Sequence, residues 1–179
     1  MKGRLFTVSL YSRIFGSRAD TRASLRPLWH RMVEIAREPK WYARGGIADT
    51  LPGRFDAITL VLVLVMLRME REERLVAPSV RLTELFVADM DGQLRESGVG
   101  DLVVGKQMGR QMSVLGGRLG AYREALAAAD NAALEEVVAR NVSLIEGAGP
   151  AAVAAEIRIL AAQLAALPGE ALLAGEIGR

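Results

Sequence analysis

At 179 residues, with 51% of them apolar and a formal charge of only +2, the chain is sized for one hydrophobic core, and disorder throughout is excluded. It has no cysteine and one histidine, His30, so disulfides, thiolate-zinc sites and a cysteine nucleophile are excluded and the usual catalytic bases and metal ligands are scarce. With aromatic residues at 5%, the core is expected to be built from Leu, Val, Ala and Met.

The small net charge is unevenly spread, because Lys2, Arg4, Arg13, Arg18, Arg22, Arg26, Arg31, Arg37, Lys40 and Arg44 outnumber the acids of the first quarter. Within residues 1–18, Leu5, Phe6, Leu10, Ile14 and Phe15 recur among Lys2, Arg4, Arg13 and Arg18. This pattern predicts a basic amphipathic arm able to lie on an anionic membrane surface, with Lys2, Arg4, Phe6, Arg13, Phe15 and Arg18 as its contacts. No apolar run reaches the ~20 residues of a membrane-spanning helix, and the N-terminal run is too short and interrupted for a secretory signal. The expected location is therefore cytoplasmic, peripheral at most to the inner face of the cytoplasmic membrane, and no nucleic-acid partner is expected.

A first helix is predicted from about Thr21 to Arg37, where Leu25, Leu28, Trp29, Met32 and Val33 form one stripe that Glu38-Pro39 ends. Trp41-Tyr42 and Gly45-Gly46 make an aromatic, flexible connection, with Trp41 and Tyr42 as candidate contact residues. Ile58 to Leu67 is apolar on every side and suits a buried strand or a buried helix by periodicity alone. Its continuation through Arg68 to Arg74, rich in helix formers and charge pairs four residues apart, favours one long helix.

Ser79 is placed to cap a helix carrying Leu82, Leu85, Phe86 and Leu94 and ending at Gly98. Asp101 then caps a helix striped by Met108, Met112, Leu115, Leu119, Tyr122 and Leu126. Gly105, Gly109, Gly116, Gly117 and Gly120 interrupt that stripe and predict a break, a bend or a close backbone approach. Helices over 131–146 and 151–167 follow, and residues 168–179 read as a tail.

The chemistry-bearing patterns are few. Neither a P-loop nor a GxGxxG pattern occurs, and Asp89-Met90-Asp91-Gly92 lacks the spaced oxygen ligands of a calcium loop. No metal, cofactor or catalytic group is expected.

Two blocks carry more information. Asp49-Thr50-Leu51-Pro52-Gly53-Arg54-Phe55-Asp56 precedes the apolar helix, and Phe86 to Leu102 contains Asp-Met-Asp-Gly-Gln-Leu-Arg-Glu-Ser-Gly-Val-Gly-Asp-Leu. With Gly117-Arg118 and Tyr122, they resemble the ubiquinol-cytochrome c chaperone family over roughly residues 20–128. Val61 stands where a histidine is expected in relatives, and Leu115-Gly116 where an aromatic pair is expected.

The resemblance implies an assembly factor for ubiquinol-cytochrome c reductase that shields newly made cytochrome b, of bacterial rather than mitochondrial type. The elements read from the residues give an all-α, single-domain bundle of about six helices, with the arm over 1–18, the chaperone-like domain over 19–167 and the tail over 168–179. Matched positions expected to build or border the client surface are Asp49, Gly53, Arg54, Asp89, Asp91, Arg95, Gly98, Gly100, Asp101, Arg118 and Tyr122. Two rival classes are a peripheral lipid or quinone binder, which needs an apolar cavity beside the basic face, and a small enzyme using Asp89, Asp91 and Glu96, which needs a polar cleft.

Overall fold

The computed structural model describes residues 23–96 and 101–178, with backbone but not side chains for residues 94–96, 101–108 and 111. The predicted basic arm over 1–18, with its membrane-contact residues, lies outside the described residues, as do Gly98 and Gly100. Seven α-helices follow one another among the described residues: α1 (Arg26–Ala36), α2 (Leu51–Met69), α3 (Val76–Glu96), α4 (Asp101–Ala127), α5 (Ala132–Asn141), α6 (Ala151–Ala166) and α7 (Gly169–Leu173). A π-helical turn (Lys40–Arg44) links α1 to α2, and a 3-10 turn (Glu73–Leu75) links α2 to α3.

The bundle is organised around α2, which touches α1, α3, α4 and α6. This explains its lack of an apolar stripe: every residue from Asp56 to Val65 is buried, so all sides of the helix face protein. Thr50 caps its N-terminus by accepting from the Gly53 amide (3.3 Å), and Pro52 occupies the first turn. The helix thus begins six residues before Ala57, where the purely apolar run starts.

It also ends earlier than predicted, at Met69. The charged segment that was to extend it instead turns, because Arg68 reaches across to the end of α6. Its Nε donates to the Leu164 carbonyl (3.0 Å) and its Nη2 to the Leu167 carbonyl (2.8 Å), satisfying acceptors that α6 leaves open at its C-terminus. Glu72 accepts from both Arg68 (3.3 Å) and Arg74 (2.6 Å), which holds the turn in place.

Within the segment read as a tail, the described residues 168–178 are packed on the bundle. Leu172 and Ile177 are buried, α7 packs on α1, and the Ile177 carbonyl accepts from Arg31 Nε (2.9 Å). The return requires Gly175, whose φ of 74° is in the left-handed region and where a Cβ would sit 2.8 Å from the Pro27 carbonyl oxygen. The seventh helix therefore comes from a segment with too few apolar residues to show a period.

The glycines of α4 likewise depart from expectation. The helix runs unbroken from Asp101 to Ala127, and a Cβ at Gly109, Gly116, Gly117 or Gly120 would meet nothing within 4 Å. They mark neither a break nor a close approach. The described part of the helix begins at Asp101, whose side chain, and with it the predicted cap, lies outside the described ones. Ser79 does not cap α3, which begins three residues earlier; its hydroxyl donates back to the Val76 carbonyl (2.8 Å).

Candidate functional site

The residues singled out in the sequence separate into four places. Trp41 and Tyr42 lie on the π turn, where Lys40–Arg44 folds directly behind α1. Trp41 is fully buried, its Nε1 donating to the Ile35 carbonyl (2.7 Å), and the Tyr42 hydroxyl donates to the Ala36 carbonyl (2.8 Å). The pair closes the C-terminus of α1 by taking up its last carbonyls. Trp41 presents no surface to a partner.

Arg118 and Tyr122, one turn apart on α4, face the core as well. Arg118 Nη2 donates to Asp56 Oδ1 (2.6 Å) and to the Asn141 carbonyl (2.7 Å). The second oxygen of Asp56 accepts from the Ser143 amide (2.9 Å) and hydroxyl (2.8 Å). One carboxylate thereby ties α2, α4 and the segment after α5 together. Arg118 Nε is buried without a hydrogen-bond partner among the described residues. Beside this pair Tyr122 is 1% exposed, and burial pushes its hydroxyl well above the usual phenol range; Arg118 acts in the opposite direction. Asp56 was legible as the last letter of the first sequence block, but Ser143, 87 residues away, was not.

Asp49 and Arg54 form an exposed ion pair at the start of α2, Arg54 Nε donating to Asp49 Oδ1 at 2.7 Å. The hydrogen bond from Arg54 holds the Asp49 carboxyl below its ordinary range. Between them Gly53 is fixed by space, since a Cβ there would lie 1.9 Å from the Ala48 carbonyl oxygen. That close approach lets the chain run from the antiparallel bridge between Ile47 and Leu144 straight into the first turn of α2.

The fourth place is the outward side of α3. Leu82, Phe86 and Met90 are buried at four-residue spacing, and Phe86 meets Trp29 of α1 edge to face (6.2 Å) and Phe55 of α2 (6.3 Å). The same helix borders a shallow, open groove of about 590 Å³ lined by Val80, Thr83, Glu84, Val87, Ala88 and Asp91, of which Val87 also packs on the core. Val80, in the second turn of α3, is 58% exposed. Asp91 and Asp89 take different sides: Asp91 lines the groove, while Asp89 accepts from Gln93 Nε2 (2.8 Å). Arg95 continues α3 beyond the groove, with its side chain outside the described ones.

The structure thus brings Arg118 and Tyr122 to one buried network, keeps Asp49 and Arg54 together at the surface, and puts Asp91 on a separate helix face. No group of three or more acidic or histidine side chains placed to hold a metal occurs among the described residues. Nor is any described helix long and apolar enough to cross a membrane.

These features define a class: an all-α bundle with a braced polar lock at its centre and a groove with aliphatic and acidic lining on one outer helix. The chain belongs to the ubiquinol-cytochrome C chaperone family, whose model matches residues 43–179. It is similar to the crystal structure of the Cbp3 homolog from Brucella abortus, with 31% sequence identity, a TM-score of 0.77, and 94% of this chain and 95% of that one covered. Comparison with curated proteins gives no match.

Proposed function

We propose that the protein is a non-catalytic chaperone for assembly of ubiquinol-cytochrome c reductase, and that it transiently holds newly made cytochrome b through the outward groove of α3. The observation that carries this reading is the aliphatic lining of the groove on a member of this family: the exposed Val80 and Ala88 and the half-buried Val87, on a helix that Phe86 locks into the core. A helix of an unassembled membrane protein would find in this groove apolar contact for its side chains while its own backbone stayed hydrogen-bonded.

Asp49 and Arg54 form a second, separate contact surface in the proposal. Phe55, the next residue, packs on the buried Phe86, so the start of α2 meets the core-facing side of α3 and not the groove. Arg118 and Tyr122 serve the same function indirectly, by fixing α4 against α2.

The test is affinity capture of the tagged full-length chain from its native membranes under gentle crosslinking, beside a Val80→Asp/Ala88→Asp variant, both positions being exposed, that leaves the buried face of α3 intact. Cytochrome b recovered with the parent chain and lost with the folded variant is the expected result. Equal recovery with both, or recovery with neither, would refute the groove as client site.

A further inference from the structure

The outer face of α1 carries positive charge that no described acid neutralises, and we propose that this face, continued by Leu51 at the start of α2, is a contact surface for an anionic phospholipid membrane. It shares no residue with the α3 groove and does not depend on what the groove binds.

Leu28, Met32 and Ile35 are buried on one side of α1. At about 100° per residue, Arg26, His30, Val33 and Arg37 fall within about 60° of arc on the opposite side, along about 16 Å of helix. Arg26, His30 and Arg37 are exposed, and Val33 is half-buried. The neighbouring acids lie on the flank and are already taken. Glu34 pairs with Arg31 (3.0 Å), and Glu38 pairs with Arg31 (3.5 Å) and Lys40 (2.8 Å). Among the described residues, neither Arg26 nor Arg37 has a side-chain hydrogen bond or ion pair.

The face adjoins the start of α2 through Tyr42. Burial and the Asp49 carboxylate push the Tyr42 hydroxyl above the usual phenol range, and the Arg54 and Arg37 guanidinium groups act in the opposite direction, so the end of α1 and the start of α2 meet around this ring. The Asp49–Arg54 pair adds no net charge there. Leu51, three residues before Arg54 and hence on the same side of α2, is 77% exposed, more than any other large apolar side chain among the described residues.

Lipid phosphates accept from guanidinium groups, and an exposed aliphatic side chain beside such cations enters the boundary between headgroups and acyl chains. Phosphates of RNA would meet the same charges, but single-stranded RNA is held by stacking on aromatic faces. The large side chain that stands free here is aliphatic, while Tyr42 is half-buried with its hydroxyl committed to the Ala36 carbonyl.

Flotation of the full-length chain with phosphatidylcholine vesicles, with and without phosphatidylglycerol, tests the surface. Each cation near an anionic bilayer contributes about five-fold in partitioning, so Arg26→Gln/Arg37→Gln should weaken binding to the phosphatidylglycerol vesicles about 30-fold. Leu51→Ser should weaken it about ten-fold, and Arg26→Lys/Arg37→Lys should retain most of it, each variant keeping the circular dichroism of the parent. Because the chain has no native cysteine, an environment-sensitive fluorophore on Leu51→Cys is placed uniquely; its emission should shift to the blue on vesicle addition, and that of one on Ile159→Cys should not. The inference is overturned if the chain does not float, if it binds vesicles lacking phosphatidylglycerol equally well, if the two glutamines leave binding unchanged, or if the shift occurs at 159 alone. It is also overturned if single-stranded RNA binds more tightly than the vesicles and the glutamine variant loses that binding, which would make nucleic acid the partner.

Discussion

Removing Asp56 is expected to be among the costliest single changes the chain can suffer. Its carboxylate and the Arg118 guanidinium have side chains only 10% exposed, so water screens their interaction little. In Asp56→Ala the guanidinium stays buried, its Nε already without a partner, and retains the Asn141 carbonyl, while the Ser143 amide and hydroxyl lose their acceptor. Breaking such a pair from one side costs about 3–5 kcal/mol. At about 2–4 °C per kcal/mol for a domain of this size, Tm should fall by about 6–20 °C. Asp56→Leu/Arg118→Met, which removes both charges, should cost less than either single change, because no uncompensated ion remains. Denaturant unfolding followed by circular dichroism measures all the corners of that cycle. Single changes costing under about 1 kcal/mol, or a double change equal to the sum of the singles, would refute the lock.

Other changes follow from the same geometry. Gly53→Ala forces a Cβ onto the Ala48 carbonyl and should lower stability by about 1–3 kcal/mol in the same assay, whereas Gly116→Ala, which meets open space, should raise it by up to about 1 kcal/mol. Leu172→Ala, in the segment first read as a tail, should cost about 2–5 kcal/mol, and limited proteolysis should then cut after Pro168. Arg123 pairs with Glu70 at 2.8 Å, but the side chains are 51% and 42% exposed, so Arg123→Ala should change stability by less than about 1 kcal/mol. Because the folded-state pKa of Tyr122 is raised above its unfolded value of 10.0, the unfolded chain releases a proton first as the solution becomes alkaline. Its contribution is complete below pH 10 and lost progressively above it; Tyr122→Phe should flatten that decline in a pH series of unfolding curves.

The helices that could be read in advance are those whose burial leaves a period. α1 and α4 show their stripes, and Pro39 and Pro150 mark the end of one element and the start of another. The all-round apolar α2 was ambiguous between strand and helix because a central helix buried on every side has no polar face to reveal its period. What was not legible depends on residues far apart in the chain. The end of α2 at Met69 is set by Arg68 finding carbonyls 96 and 99 residues away, and no local propensity contains that information. The Asp56 to Arg118 pair spans 62 residues, and each partner alone looks like any charged position on a helix. Trp41 reads in sequence as a candidate contact residue, yet the Ile35 carbonyl at the end of α1, six residues earlier, accepts from its indole and draws it inward. Asp89 and Asp91, two residues apart on α3, take different faces of the helix, and only Asp91 borders the groove.

The account stands or falls on whether the outer side of α3 meets cytochrome b. A photo-crosslinking amino acid at Val87 of the full-length chain, with a second chain labelled at the exposed Ile159 of α6 as control, reports that contact directly in native membranes. A cytochrome b adduct from position 87 and none from 159 is the predicted result; adducts from 159 alone, or from neither position while the tagged parent chain still captures cytochrome b, would contradict it.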